Sequence, residues 1–354
     1  MKSIVTKEAI YQKKWDIFIS QNENGSHLQS SEWLKSYKSY GFDYELFIIE
    51  DNEEIIGGFG AVIAKVLFFK FYILPYGPIV KLPNEDVLKH LLKVIPLRAK
   101  KLKCCYCQVS FPVFRVPNYI LSYYKSLENC GYIEGNLFKY VYSSNGLNWL
   151  DFEKYTNVDA ILLDFKSYVR RDIRSAERKE TVIKFLTKEI DLKKAYDLCL
   201  ENGKSNNYSL RDWSSFKTTI LSLVESGTGK FIAAYNQNDL KGAIFIVKAG
   251  NYYTYILGGT KKEKPDLLVG HLLQWEAIKW SFLENCIGYN ISLGGSPGVQ
   301  EFKNNFVTQQ YLNVNGKFYV ILDKTIFNFF LFFEKKIKPY KTSIAKLLTV
   351  IKRK

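Results

Sequence analysis

Residues 44–83 read YELFIIEDNEEIIGGFGAVIAKVLFFKFYILPYGPIVKLP, and residues 230–265 read KFIAAYNQNDLKGAIFIVKAGNYYTYILGGTKKEKP. Each stretch is a strand, a turn of Asp and Asn residues, a second strand carrying glycine, and a third strand ending in Tyr-Ile-Leu ahead of another glycine. Gly57 pairs with Gly242, Tyr72 with Tyr255 and Gly77 with Gly259, each pair about 183 residues apart, the fixed offset that marks an internal repeat. Both copies then run into a helix-period segment (85–101 and 266–284) and a short apolar strand (106–111 and 288–293). The repeat predicts two α/β (α+β) domains of one fold in tandem, with mixed, mostly antiparallel sheets flanked by helices. Ser143-Ser144-Asn145-Gly146 interrupts the pattern, so the join is expected within 145–156. This divides the chain into 1–150, 151–320 and a C-terminal segment, 321–354.

That last segment is a helix-like run in which Ile326, Phe327, Phe329, Phe330, Leu331, Phe332 and Phe333 cluster. Lys335, Lys336, Lys338, Lys341, Lys346, Lys352, Arg353 and Lys354 follow. Such a composition suits a helix lying in a membrane interface, and better a helix packed on the first domain with a solvated basic tail, which is the arrangement expected. The whole chain of 354 residues carries 50 Lys and Arg against 35 Asp and Glu, a net charge of +15 that attracts phosphates, nucleic acid and anionic membrane surfaces. With 47% apolar residues the chain buries enough surface to exclude disorder and low-complexity fibre. No run reaches the roughly 18–20 apolar residues of a spanning helix, and MKSIVTKEAIYQKKWD has no signal-peptide core, so a cytoplasmic location is expected. Six cysteines are too few for a disulfide scaffold of this length. Cys104-Cys105-Tyr106-Cys107 reads as small apolar residues of a buried strand, since the three histidines are scattered and no second CxxC completes a metal site.

Three motifs carry candidate chemistry. In Tyr168-Val169-Arg170-Arg171-Asp172-Ile173-Arg174-Ser175-Ala176-Glu177-Arg178, the side chains of Arg170, Arg174 and Arg178 share one helix face, with Ile173 and Ala176 turned inward. The stripe suits phosphate or RNA, because guanidinium grips phosphate oxygens in pairs, and it also suits a solvated surface. In Leu272-Leu273-Gln274-Trp275-Glu276-Ala277-Ile278 most positions read as core, and Gln274 and Glu276 are the polar candidates. In Ser292-Leu293-Gly294-Gly295-Ser296-Pro297-Gly298 a strand ends in a glycine turn and hands the chain to Phe302-Lys303. Backbone can approach a ligand closely there, and a fixed cation beside it suits acyl transfer, where negative charge grows on a carbonyl oxygen. Neither a dinucleotide fingerprint, a P-loop, a GxSxG elbow nor an HExxH occurs.

Together these motifs resemble the Fem family of aminoacyltransferases, within the GNAT-like acyltransferase superfamily. The resemblance runs over most of the chain. It takes in His27-Leu28-Gln29-Ser30-Ser31-Glu32-Trp33, Tyr76-Gly77-Pro78, Arg171-Asp172-Ile173-Arg174-Ser175-Ala176-Glu177, Leu273-Gln274-Trp275-Glu276-Ala277-Ile278, and Gly294-Gly295 leading to Phe302-Lys303. It implies two tandem GNAT-like domains, and an enzyme that moves an amino acid from aminoacyl-tRNA to an amine of a peptidoglycan or other cell-envelope precursor, linked to a nucleotide or a lipid. It implies no cofactor and no metal. By resemblance, Lys303 and Phe302 sit at the acyl donor, the lysine on the oxyanion or a tRNA phosphate. Arg211, Tyr253 and Tyr255 match positions around the acceptor, and Gln29, Trp33, Gly294 and Gly295 fall in the same shared motifs.

The chain also departs from the family pattern. Tyr76 stands where arginine usually precedes Gly-Pro, Phe111 where an acid usually precedes proline, and Tyr37 where a lysine often follows the Gln-Trp motif. These departures bear on the acceptor. Residues 266–271 do not reproduce the pyrophosphate loop of the acetyl-CoA branch, which tilts the reading away from CoA. Two alternatives stay open: an acyl-CoA-dependent N-acyltransferase acting on an amino sugar, and a non-catalytic module holding RNA or the anionic inner face of the membrane.

Overall fold

A computed structural model describes residues 1–81, 84–112, 117–144, 146–312 and 316–338. The first half runs β1 (Lys2–Thr6), α1 (Ala9–Gln21), α2 (Ser31–Ser36), β2 (Asp43–Asp51), β3 (Glu54–Val66), β4 (Phe69–Leu74), β5 (Ile79–Val80), α3 (Glu85–Lys101), β6 (Tyr106–Ser110), α4 (Pro117–Asn129) and β7 (Ile133–Glu134). The chain continues through β8 (Gly146–Asp151), α5 (Val158–Asp164), α6 (Ser167–Arg178), β9 (Val182–Leu186), α7 (Glu189–Ser205), α8 (Trp213–Glu225), β10 (Gly229–Asn236), β11 (Asp239–Lys248) and β12 (Tyr252–Thr260). It then forms α9 (Val269–Leu283), β13 (Gly288–Asn290), α10 (Pro297–Asn304), β14 (Gln309–Leu312), β15 (Lys317–Ile321) and α11 (Lys324–Phe332), which runs on to Ile337 with a wider turn.

The repeat is a structural one. One sheet has the order β1-β2-β3-β4-β6-β15-β7, with β5 beside β3, and the other, read in the same sense, β9-β10-β11-β12-β13-β8-β14. In each, an antiparallel meander is followed by one parallel pair, β4 with β6 and β12 with β13, reached through the covering helix α3 or α9. The meander turns are Asn52-Glu53 and Gln237-Asn238, all four with positive φ, as a two-residue hairpin needs to match strand twist. α3 starts where the Asn84 side chain accepts a hydrogen bond from the Val87 amide, and it carries acids in its first turn and Arg98, Lys100 and Lys101 in its last, in line with its dipole.

The sixth place in each sheet is filled by a strand that lies far off in the chain from its neighbours there. β8, just after the first half, pairs with β13, and β15, just after the second, pairs with β6. β8 begins at Gly146, inside the stretch where the sequence pattern breaks, yet joins the second sheet, and β15, at the end of the stretch 151–320, sits in the first. α11 packs on that same sheet. Phe327 stacks on Tyr106 at 4.9 Å, and Phe330 meets Phe71 at 4.6 Å and Phe69 at 5.3 Å. The lysines beyond residue 338 lie outside the described residues.

Three apolar layers result. α3 and α4 close the outer face of the first sheet and α5, α6 and α9 that of the second. Between the sheets one continuous core joins Trp15, Leu34 and Tyr37 to Tyr196, Phe216 and Phe231, with α2 against α8 at the join. The halves are also tied by backbone. The Gly250 amide donates to the Ile19 carbonyl at 3.1 Å, and the Tyr252 hydroxyl to the Gly25 carbonyl at 2.9 Å. Gly25 permits this approach, since a Cβ there would lie 2.1 Å from the Ile19 oxygen. The six cysteines are free thiols, Cys107 lies within β6, and burial pushes the thiols of Cys104 and Cys107 up to about 12.

Candidate active site

A cavity of about 270 Å³ opens where the halves meet. The first half supplies His27, Trp33, Tyr76, Tyr142 and Ser144, and the second Tyr252, Thr254, Tyr255, Asn290 and Ser292. Among the described residues none of its lining side chains is Lys, Arg, Asp or Glu, and burial holds His27 down at about 3, hence neutral. Aromatic faces alternate with neutral hydroxyl and amide groups. Such a wall suits the face of a sugar ring or a peptide backbone better than a bare phosphate or carboxylate.

A buried charge lies one layer behind. Lys303, on α10, is 5% exposed, and its ammonium donates to the Ser292 carbonyl at 3.2 Å, the Ser292 hydroxyl at 3.0 Å and the Gly294 carbonyl at 3.1 Å. It also stands 5.5 Å from the centre of the Tyr255 ring. Burial pulls it down to about 8, so at neutral pH it is still mostly charged. Three donors meet three acceptors, so the ammonium is fully engaged by the loop that borders the cavity. Ser292 is what the cavity touches. Its hydroxyl oxygen takes a hydrogen bond from the lysine, which leaves its own O–H to donate elsewhere.

The loop is held by the strand it leaves. The Asn290 carboxamide oxygen accepts from the Ser292 and Asn148 amides, both at 3.0 Å, and its nitrogen donates to the Thr254 hydroxyl at 3.4 Å. Ser292 itself has φ +64°, with Gly294 at +91° and Gly295 at +109°, a backbone path that favours glycine. Across the sheet the pairing of β11 with β12 shifts between Phe245 and Ile246, so that Tyr255 and Ile256 both reach the cavity wall.

Arg211 sits behind Trp33 at the α2–α8 join. Its guanidinium carbon is 5.8, 5.0, 4.9 and 4.8 Å from the rings of Trp33, Tyr37, Tyr40 and Phe216, and it donates to the Ser36 hydroxyl at 2.6 Å. The cation is caged by rings from both halves. Tyr37 forms one wall of that cage.

The remaining sequence candidates are elsewhere. Phe302 turns away from Lys303 and lies 4.9 Å from His271 and 5.4 Å from Phe306. Gln29 spends both ends of its side chain on Gly60, accepting at 2.5 Å and donating at 3.0 Å. Gln274 accepts from the buried Tyr289 hydroxyl at 2.9 Å, and Glu276 pairs with Lys279 at 2.5 Å. Tyr253 lies on the helix-covered face of its sheet, where its hydroxyl accepts weakly from the Trp280 indole at 3.4 Å. Arg170 caps the end of α5, donating to the Leu163 and Phe165 carbonyls at 2.5 and 2.6 Å, while Arg174 and Arg178 are exposed. The sequence reading had not singled out His27, Ser144, Tyr252, Thr254, Asn290 or Ser292. Two of them carry a signal, Ser292 at the head of the glycine turn and His27 at the start of the His27–Trp33 motif. No group of three or more His, Cys, Asp or Glu that could hold a metal occurs among the described residues.

Two meander-helix-strand halves meeting at a cavity are the architecture of a tandem GNAT-like acyltransferase. A model of the FemAB family matches residues 10–222 and one of the acetyltransferase (GNAT) domain residues 164–304. The chain belongs to the FemAB family and is an acyltransferase. A crystal structure of FemX superposes with a TM-score of 0.80 over 93% of this chain and 99% of that chain, at 16% identity. L-PGS from Bacillus licheniformis gives 0.52 over 95% and 98% at 12% identity. A tandem GNAT protein from the clavulanic acid biosynthesis pathway gives 0.50 over 91% and 99% at 9% identity. At these identities the likeness is one of fold. No match was found among curated proteins.

Proposed function

We propose that the protein takes an aminoacyl group from tRNA and joins it, as an amide, to an amine of a peptidoglycan or other cell-envelope precursor, with the bond forming in the cavity between the halves. The observation that carries this reading is the buried Lys303 ammonium fastened to Ser292 at the cavity wall. A neutral amine attacks the ester carbonyl carbon, and the carbonyl oxygen gathers negative charge. The Ser292 O–H donates to that oxygen, and the ammonium behind it strengthens the donation. The tetrahedral centre then expels the ribose oxygen, which leaves with the proton the amine gives up. Lys303 acts through Ser292, so Ser292 is the group in contact with the reacting atoms.

Trp33, Tyr255 and the Arg211 cage form the acceptor side, and Gly294 and Gly295 let backbone close on the donor. Gln29, Gln274, Glu276, Tyr253 and Phe302 serve as supports. Arg174 and Arg178 offer the exposed cations for tRNA phosphate, while Arg170 fixes their helix. The reacting groups are brought together by the units 1–150 and 151–320, which exchange β8 and β15, and the described part of the basic segment, 321–338, packs on the first sheet. This reading places the protein in the cytoplasm at the inner membrane face; none of the described helices is long and apolar enough to cross a membrane. Incubating the purified chain with each charged tRNA and a nucleotide- or lipid-linked precursor, and reading the product by mass, tests it. A mass gain of one aminoacyl residue on the precursor is expected, and none with any charged tRNA overturns it.

The GNAT domain match favours a second reading, acyl-CoA as donor and an amino sugar as acceptor. Saturable binding of a CoA thioester, with transfer to the sugar amine, would select it.

A further inference from the structure

The tip of the β3–β4 hairpin and the outer stripe of α11, more than 250 residues apart in the chain, form one exposed aromatic surface. Leu67 and Phe68 at the tip are 58% and 64% exposed, and Phe329 and Phe332 on the helix 48% and 53%. Phe68 stacks on Phe329 at 5.9 Å and Phe329 on Phe332 at 6.4 Å, so the rings are contiguous. The opposite stripe of α11, Phe327 and Phe330, is buried in the protein core. Contiguous exposed rings of this kind mark a contact surface in a protein that is otherwise well packed.

Positive charge surrounds the rings. Lys65 and Lys70 face each other in the hairpin, and the Lys70 ammonium donates to the Leu102 carbonyl at 3.2 Å, which brings the α3–β6 turn and Lys103 alongside. The Cys105 carbonyl accepts from the Asp323 amide at 3.1 Å, so α11 and Lys324 start at the same end, with exposed Lys335 and Lys336 beyond. The nearby carboxylates are occupied. Asp323 caps α11 through the Ile326 amide, and Glu334 pairs with Lys338 and accepts from Tyr140. The rim is therefore net basic around an apolar centre, the complement of an anionic lipid surface.

We propose that this surface, Leu67, Phe68, Phe329 and Phe332 within their lysine rim, docks the protein on an anionic bilayer, the rings entering the acyl boundary and the lysines meeting lipid phosphates. The inference rests on the reading above in naming a lipid-linked acceptor as the substrate this docking serves. Tyr140, bonded to α11, lies two residues from Tyr142 and four from Ser144, which both line the cavity, so the docking surface and the cavity share one segment of chain.

The test uses the full chain and vesicles of phosphatidylcholine with or without phosphatidylglycerol, read by co-sedimentation. The wild type is expected to bind the anionic vesicles and to lose them in high salt. The triple variant Phe68→Ser, Phe329→Ser, Phe332→Ser is expected to bind about tenfold more weakly or worse. Its far-ultraviolet circular dichroism and its transfer to a soluble nucleotide-linked acceptor stay as in the wild type. Equal binding to neutral and anionic vesicles, or undiminished binding by the triple variant, overturns the proposal. So does self-association of the wild type that the variant abolishes without any vesicle binding, which would assign the surface to a second copy. Vesicle binding with no transfer from any tRNA leaves the docking standing and removes the enzymatic reading, so the two fail separately.

Discussion

Replacing Lys303 with methionine removes a charge but little volume, and the structure sets opposing effects on stability and catalysis. An ordinary lysine keeps its proton to about 10.5 and this one only to about 8, so below pH 8 the buried charge costs the fold about 3 kcal/mol. Against that, three charge-assisted hydrogen bonds to Ser292 and Gly294 vanish, at about 1.5 kcal/mol or more each. The two nearly cancel. Lys303→Met should therefore melt within about 2–4 °C of the wild type at pH 7, while its kcat falls about 10²–10³-fold, the cost of removing an oxyanion-stabilising group. The folded state holds fewer protons than the unfolded chain between pH 8 and 10.5, so wild-type stability gains on that of the variant as pH rises through this window. Thermal melts from pH 7 to 10 and single-turnover transfer at saturating acceptor give both numbers. Unchanged kcat in a folded variant would refute the role given to the ammonium, and a wild-type stability curve parallel to that of the variant would refute its burial as a charge.

Four further perturbations separate the parts. Ser292→Ala should lower kcat by at least as much as Lys303→Met, about 10²–10³-fold, with little change in KM, and the double variant should lose much less than the sum, because the two act as one unit. Gln29→Leu strands the Gly60 amide and carbonyl in the core and should cost about 2–4 kcal/mol in urea unfolding. Arg211→Lys replaces a flat cation caged by four rings with a compact one and should cost about 1–2 kcal/mol in stability and raise the acceptor KM more than it lowers kcat. Arg174→Glu with Arg178→Glu should weaken tRNA binding and flatten its dependence on log salt by about 2, measured by filter binding from low to high salt.

Much of the fold is written locally. The hairpin turns, the α3 boundaries with their matched end charges, and the burial of Ile173 and Ala176 follow from periodicity, capping and glycine placement within a few residues. The strand exchange is different, because β8 and β15 pair with partners far away in the chain, and nothing in six or five residues states which sheet will accept them. The same limit appears in the site. Lys303 was legible from the glycine turn ahead of it, but the three oxygens that hold it depend on φ values at Ser292, Gly294 and Gly295. Phe302, its neighbour in sequence, is about 100° away around α10 and meets His271 instead. Arg170 shares a helix face with Arg174 and Arg178, yet it alone meets the end of α5, which periodicity cannot foresee. The neutral cavity wall gathers residues from six separate stretches; the His27–Trp33, Tyr76-Gly77-Pro78 and Ser292–Gly298 motifs supply some of them, but nothing local states that they meet.

The reading turns on what is transferred and where it lands. Purified protein given a mixture of charged tRNAs and a lipid-linked cell-envelope precursor, with the product fragmented in a mass spectrometer, answers both at once. The account predicts one amino acid in amide linkage to an amine of the precursor, formed by the wild type and lost in Lys303→Met. A precursor acylated from CoA thioesters alone, or left unmodified by a folded enzyme with every charged tRNA, would contradict it.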